Sequence, residues 1–576
     1  MSRTLALDCA SLRDTADLPS TFGFDAALEG FIDAALRFSS YERLVLFHPP
    51  GWAPQRRDAL RARARAGADV RLASAHEIPR YVQQREISVW FQPDTRTEPV
   101  NYRSVFGGAV FPFTTPIYIA WGPQLLRTQY LWLLLDGLAE CDSFVCTTRS
   151  VQAVVRETLA YMIDEMREWS GAELRYRGRL DVLPLGVDTD RFAPRPKALL
   201  RADLGWPADA FVLLWVGRFS AVDKTDLLPA LRMFRRLVDA NPHRTLRFVL
   251  AGNDRSDIPF VPAISQFAHD LGLGDHVQIL DNIRAFDDTA VDIRPALFAA
   301  ADVFTSPVDN LQETFGLAVV EAMACGTPQV VSDWDGYKDT TVHGVTGYRI
   351  PTYWTHCDAD PGVDAGIGGF GYQGHLWAQS VAIDLPEYQA AVQRLLDDPS
   401  LAAEMGARSR QRAVEVFGWA AVVRAYEALW DELSAIAASL SPAGVRYPPF
   451  SQATLCRRFR EFPTAMLEGH EWMTVSREGR RLVEGAEPFP WHSPHERALI
   501  DVEEMLAMLA SAEHSPGSLD DLADRFSRGD PDRRAAGLRA VMWGFKHGFL
   551  ECAVSRAPDV SPGFDTMSRR PALVRT

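Results

Sequence analysis

The sequence predicts an α/β protein: two successive parallel-sheet domains followed by a mainly helical module. Three observations carry this reading. Short apolar runs of strand length alternate with segments of helical period, the pattern of βαβ units. The alternation comes in two blocks, the second starting near Arg201. Past Ser441-Pro442-Ala443-Gly444 it gives way to helical periodicity. A chain of 576 residues suits about three or four domains. The boundaries expected are 1–195, 196–440 and 441–576.

In the first block, Ala26–Phe38 has apolar residues at helical spacing. Leu44–Phe47 reads as a strand, stopped by His48-Pro49-Pro50-Gly51. Gln55–Gly67 is a polar helix and Asp69–Leu72 a short strand. Ser88–Phe91, Ile117–Ala120 and Ser143–Cys146 read as buried strands, and Ser150–Trp169 as a long helix. In the second block the expected strands are Phe211–Val216, Leu246–Leu250, Val277–Leu280, Val303–Thr305 and Val330–Ser332. Between them lie helices at Leu227–Leu237, Ala263–Leu271, Ala296–Ala300 and Gly316–Ala324. Residues 353–378, rich in Gly and aromatics, are expected to form a long loop. Ser380–Asp384 follows as a strand, then helices at Ala402–Phe417 and Ala420–Ala438. In the last module, Ser518–Phe526 and Arg533–Phe549 suggest a helix pair. A strand near Phe549, Leu550 and Val554 would close a winged-helix-like unit.

Composition limits function. Hydrophobic residues are 47%, charged 23% and aromatic 10%, which excludes wholesale disorder, collagen and coiled coil. No apolar run approaches the roughly 18 residues of a membrane span. MSRTLALDCA carries Arg3 and Asp8 around its apolar stretch and does not read as a secretory signal. A net charge of −15 argues against nucleic acid as a partner. Residues 441–576 are near neutral, so the acidity lies upstream. Seven scattered cysteines without CxxC read as reduced thiols, and the expected location is cytoplasmic. His492 and His495 flank a Ser-Pro pair with no third ligand near, so no metal site is expected.

The chemistry concentrates in Gln312–Ser332, QETFGLAVVEAMACGTPQVVS. Apolar residues at 317, 319, 320, 323 and 324 suit a helix packed on a sheet, with Gly326 and Pro328 as its stop. Thr314, Phe315 and Gly316 therefore mark a helix N-terminus, where free N–H groups favour an anion. Glu313 stands just outside it and Glu321 about a turn and a half inside. The two carboxylates would touch different parts of one ligand, which fits a nucleotide-sugar better than a single scissile sugar bond. A second group, Gly217, Arg218 and Lys224, follows the strand at Phe211–Val216, with Gly217 expected to turn the chain. Ligands of open α/β sheets sit outside the carboxyl ends of strands. There Arg offers a fork to phosphate and Lys a point charge. Lys224 is one of four lysines beside 56 arginines, which suggests a need for the smaller head group.

Together LPLGVDTDRFAP (183–194), VGRF with the following Asp223-Lys224, VLAG (249–252) and ETFGLAVVEAMACGTPQVV (313–331) resemble the group-1 family of retaining glycosyltransferases. The resemblance covers about Val182–Leu433. It implies the GT-B fold of two Rossmann-like domains, the first holding the acceptor and the second a nucleotide-diphosphate-sugar, UDP- or GDP-linked. It implies that Arg218 and Lys224 bind the pyrophosphate, Glu313 the donor sugar and Glu321 the ribose diol. Backbone at Phe315, Gly316 and Leu317 would contact phosphate and sugar, with Gly217 close by. It further implies retention at the anomeric carbon, with no metal or cofactor, and a helix near Ala420–Leu433 that crosses back to the first domain. The family's N-terminal Gly-rich loop has no counterpart here. Its sugar-contacting His would fall in Pro116–Gln124, PIYIAWGPQ, which has Trp121-Gly122 instead. A different reading is therefore a catalytically weak GT-B scaffold that binds nucleotide or glycan and recruits a protein partner through residues 441–576. A phosphorylase or an epimerase on the same fold is a further one.

Overall fold

The computed structural model describes residues 3–12, 23–49, 54–106, 110–120, 122, 125, 129–254, 259–281, 283, 292–311, 313–357, 369–441, 455–460, 462–463, 466–490 and 500–552. His492, His495, Trp121, Val554 and most of the 441–444 linker lie outside them. The chain divides into two compact units, residues 1–450 and 451–576.

The first unit holds two parallel sheets. One contains β1 (Thr4–Asp8), β2 (Arg43–His48), β3 (Asp69–Ser74), β4 (Val89–Phe91), β5 (Phe113–Ile117), β6 (Ser143–Cys146) and β7 (Arg179–Val182). Its order is β3-β2-β1-β4-β5-β6-β7. The other contains β8 (Phe211–Phe219), β9 (Leu246–Asp254), β10 (Val277–Asp281), β11 (Val303–Ser306), β12 (Gln329–Ser332) and β13 (Gly347–Ile350). Its order, β10-β9-β8-β11-β12-β13, repeats the first six positions of the other sheet. Both are doubly wound, with the order reversing beside β1 and beside β8, and in such sheets ligands bind at the carboxyl edge near that reversal. The fold is thus the GT-B arrangement of two Rossmann-like domains.

Apolar layers cover both faces of each sheet. Leu5, Leu7, Leu44 and Leu46 face one side of the first sheet, with Phe31, Tyr426 and Trp430 packed on them. Ala6, Val45, Trp90 and Phe144 face the other. In the second sheet Leu214, Phe304 and Val331 pack under the helix Leu317–Ala324, while Leu213, Trp215 and Leu250 meet the helix Leu228–Ala240. Such two-sided burial is what continuous runs like FVLLWV demand of a parallel strand.

The helix Trp419–Ser439 packs against the first domain. Trp430 is fully buried and donates its indole N–H to Thr114 Oγ1 at 2.9 Å. Glu427 accepts from Ser39 Oγ at 2.8 Å and from Ser40 N at 2.7 Å.

Several elements depart from the sequence reading. The strand expected at Ile117–Ala120 lies earlier, at Phe113–Ile117, with Pro116 inside it. β1, β7 and β13 were not foreseen. Gly217 does not turn the chain: β8 continues to Phe219, and Gly217 pairs with Gly252 of β9. A Cβ at Gly252 would lie 1.7 Å from the Gly217 carbonyl oxygen, so the two strands meet without side chains there. The expected loop 353–378 begins with the strand pair Thr352–Tyr353 and Ala382–Ile383 and contains the helix Gly369–Ala378. The helix expected to run from Ala402 to Phe417 is regular only to Arg412 and closes with a wider π turn at Ala413–Phe417.

The second unit has its own core. Trp472–Val475 forms the centre of a three-stranded antiparallel sheet, flanked by Gly517–Ser518 and Leu550–Cys552. The helices Val502–His514, Leu519–Ser527 and Arg534–Lys546 pack on it through Met505, Leu509, Leu522, Val541 and Phe549.

Candidate functional site

The site is built from loops at the carboxyl edge of the second sheet. Arg218 lies near the end of β8 and pairs with Asp223 of the following loop at 3.3 Å. Lys224, six residues on, places its ammonium against the Glu313 carboxylate, and both side chains are largely buried. Asn310, in the loop after β11, donates its side-chain amide to the Lys224 carbonyl. Arg218, Asp223 and Lys224 therefore form one assembly with Asn310 and Glu313, joining two loops far apart in sequence.

Gly316 caps the helix Leu317–Ala324 with φ +93°, a conformation that L side chains rarely adopt. A Cβ there would stand 2.3 Å from the Tyr337 ring, so both backbone and space require glycine. Phe315 is buried and edge-on to Phe417, at 5.8 Å between ring centroids, so its side chain belongs to the core. Tyr337 shares a 2.7 Å hydrogen bond with Ser306, and burial together with nearby Glu313 pushes its phenol well above the ordinary value.

Glu321 points from this helix to Arg294, with 3.0 Å between them. Arg294 also grips Asp292 at 2.9 to 3.2 Å and lies over the Phe192 ring, 5.5 Å from its centroid. Burial pulls the Arg294 guanidinium down, but Glu321 and Asp292 outweigh that and hold it above its ordinary value. The ordering of Glu321 by Arg294 was not foreseen. Arg294 is one of many arginines, and no local spacing links it to Glu321.

Two buried carboxylates beside the site were also missed. Desolvation, with Asp226 nearby, pushes Asp309 up to about 8, and Asp309 accepts a 3.3 Å hydrogen bond from Asp226 N. Desolvation, with Glu313 nearby, pushes Asp335 up to about 8 as well.

The first domain grips the same segment. Thr147 and Thr148 both donate to the Thr314 carbonyl at 3.1 Å, and Thr314 Oγ1 donates to the Tyr118 carbonyl at 2.7 Å. Arg149 meets Asp339 at 3.0 Å, and Ser150 donates to the Asp335 carbonyl at 3.1 Å. Thr148 is also the N-cap of the helix Arg149–Ser170, accepting from Val151 N. A polar cluster lies at the carboxyl ends of β1 and β4. There Arg96 bridges Asp8 at 3.0 Å and Asp94 at 2.9 Å, and Gln92 donates to Asp94 at 2.5 Å.

The residues expected at the donor site are all among the described residues. Gly217, Arg218, Lys224, Glu313, Phe315, Gly316 and Leu317 lie on adjoining segments at this edge, and Glu321 lies further along the helix beside Arg294. Among the described residues no cluster of three or more His, Cys, Asp or Glu is arranged to hold a metal ion. No described helix is long and apolar enough to cross a membrane.

Residues 210–356 match the family model described as Glycosyl transferases group 1. The chain is similar to a D-inositol 3-phosphate glycosyltransferase of Kineococcus radiotolerans. The two are 34% identical over 42% of this chain and 49% of that protein. It is 28% identical to the protein of the same name from Thermobispora bispora, over 54% of this chain and 66% of the relative. The chain thus spans about half to two thirds of the length of these relatives. Among solved structures it resembles Anabaena HepE in complex with UDP and glucose, at 16% identity. That match covers 75% of this chain and all of the other, with a TM-score of 0.47.

Proposed function

We propose that the protein is a retaining glycosyltransferase. It would move a sugar from a nucleotide-diphosphate-sugar to an acceptor, without metal or cofactor. The observation that carries this is the convergence of Arg218, Lys224 and Glu313 beside the helix that starts after Gly316. Cations and free backbone N–H groups suit the pyrophosphate, and the carboxylate suits sugar hydroxyls. As the glycosidic bond breaks, negative charge grows on the departing phosphate. Arg218, Lys224 and the helix N-terminus are already in place to stabilise it. Before donor binds, Lys224 rests on Glu313, and the phosphate would draw it away and leave the carboxylate for the sugar. Glu321, oriented by Arg294, would accept the ribose hydroxyls.

In the retaining route the leaving phosphate itself takes the acceptor proton. Atoms balance: the anomeric carbon exchanges its bond to phosphate oxygen for one to acceptor oxygen on the same face, and the proton leaves with the nucleoside diphosphate. The acceptor would lie toward the first domain, where Asp8, Asp94 and Arg96 offer partners for hydroxyl groups. The test is melting of the protein with UDP, GDP and ADP. At 100 times the dissociation constant a ligand adds about 2.7 kcal/mol. No shift with any of them at millimolar concentration would count heavily against the reading.

A further inference from the structure

One residue beside the donor segment carries backbone strain, and the chemistry proposed above does not use it. Asp335 follows β12 and precedes the short helix Tyr337–Thr340. Its φ is +38°, in the left-handed region that L side chains rarely adopt. Strain of this kind persists only where the surrounding structure imposes it, and it clusters at functional sites. The contacts that impose it here involve the donor segment itself. The next residue, Gly336, donates its N–H to the Glu313 carbonyl at 3.3 Å. A Cβ on Gly336 would stand 2.5 Å from Phe315 Cα and 2.6 Å from the Thr314 carbonyl carbon, so the chain here lies against the backbone of residues 313–315. From the first domain, Ser150 donates to the Asp335 carbonyl at 3.1 Å.

The Asp335 carboxyl group lacks a partner. Among the described residues no hydrogen bond or ion pair reaches it. Protein nevertheless surrounds it, and desolvation pushes it up to about 8, with Glu313 the charge that acts on it most, ahead of Lys338 and Asp339. These neighbours are engaged elsewhere or point to water: Glu313 meets Lys224, Asp339 meets Arg149, and Lys338 is exposed. Part of the surface of Asp335 remains open. A desolvated carboxyl without hydrogen bonds costs free energy that a ligand's polar groups would recover.

The chemistry of the pair narrows that ligand. Near neutral pH the Asp335 carboxyl keeps its proton, so it can donate one hydrogen bond and accept others, whereas the Glu313 carboxylate only accepts. A phosphate would be repelled by Glu313. A metal ion would need more ligands than are present, since no cluster of three or more His, Cys, Asp or Glu occurs among the described residues. A sugar ring carries neighbouring hydroxyls, each both donor and acceptor, and so suits an acid and a carboxylate set side by side. When a donor phosphate draws Lys224 away, Glu313 also needs such a partner.

We propose that Asp335 contacts the transferred sugar, its carboxyl group hydrogen-bonding a hydroxyl next to the one that Glu313 takes, and so helps to select the donor. This rests on the glycosyltransferase reading. The test is isothermal titration of the full chain and of Asp335→Gly with UDP, GDP and ADP, and with UDP-glucose, UDP-galactose, GDP-mannose and ADP-glucose. Glycine suits the positive φ, so the variant removes the carboxyl without straining the backbone, and circular dichroism checks its fold. The diphosphates should bind both proteins equally, while the preferred nucleotide-sugar should bind Asp335→Gly about tenfold more weakly. Among the 2-, 3-, 4- and 6-deoxy analogues of that sugar, one should bind both proteins equally, because the hydroxyl that Asp335 holds is already gone. Three results overturn the proposal: unchanged nucleotide-sugar affinity in the variant, a loss that extends to the diphosphates, as a merely structural role would give, or a further loss in the variant with every deoxy analogue. Absence of any diphosphate binding overturns the donor reading, and this proposal with it, so the two failures are distinguishable.

Discussion

At the scale of single residues, the account rests on charges that are paired before any ligand arrives. Lys224 lies against Glu313, and Arg218 against Asp223. Removing a preorganised charge of this kind costs turnover more than ground-state binding. Lys224→Ala and Arg218→Ala should each lower turnover at saturating donor by roughly 10²–10³. Full turnover in both variants would end the phosphate assignment. Glu321→Ala should instead weaken nucleotide binding. Arg294→Gln should do the same by about tenfold, because it releases the carboxylate that Arg294 orients. Titration with a nucleoside diphosphate measures both, and an unchanged affinity in Arg294→Gln would remove its positioning role.

Asp309 makes a prediction about pH. Burial raises its folded pKa to about 8, above the ordinary 3.8, so between these values the folded chain holds a proton that the unfolded chain has lost. Its contribution to stability is full below the unfolded value and is lost as pH rises through about 8. Asp309→Asn should flatten that decline in urea-unfolding series from pH 5 to pH 9, and an identical slope in both proteins would contradict it. The sequence exposed Glu313, Glu321, Arg218 and Lys224 because they sit in ordered motifs. Arg294, Asp309 and Asp335 stayed hidden because their roles come from burial and from partners distant in sequence.

At the scale of elements, legibility followed local chemistry. The helix Leu317–Ala324 was readable because glycine and proline close it and its apolar side repeats at helical period. β8 was readable as FVLLWV, but its extension through Gly217 to Phe219 depends on pairing with β9, which no local signal reports. β7 carries Arg and Asp, and β13 carries Gly and Arg, so neither forms a continuous apolar run. β5 starts four residues earlier than expected and includes Pro116, which stands one residue from the strand end, where the loss of one N–H is tolerated. Thr148 joins two elements: its hydroxyl caps the helix Arg149–Ser170 and bonds the Thr314 carbonyl beside the donor loop. Thr148→Val keeps the shape and removes both bonds. It should cost about 1 kcal/mol of stability for the lost cap and raise the donor KM. A variant with wild-type melting and KM would show that the hydroxyl links nothing.

At the scale of the whole molecule, the residues proposed to bind donor all lie in the unit formed by residues 1–450, and the unit from 451 to 576 has a core of its own. A chain truncated after Leu440 should therefore stay folded and keep its melting shift with nucleotide. If the last unit serves the acceptor or a protein partner, transfer to the true acceptor falls. Aggregation or lost nucleotide binding would instead place residues 441–576 within the catalytic fold. The central claim, transfer from a nucleotide-sugar with retention, is tested most directly by following slow donor turnover by proton NMR with UDP-, GDP- and ADP-glucose. The account predicts release of nucleoside diphosphate from at least one donor, with α-glucose as the first product and the release strongly reduced in Lys224→Ala. Release of β-glucose first, or no release and no melting shift with any of the three, would contradict it.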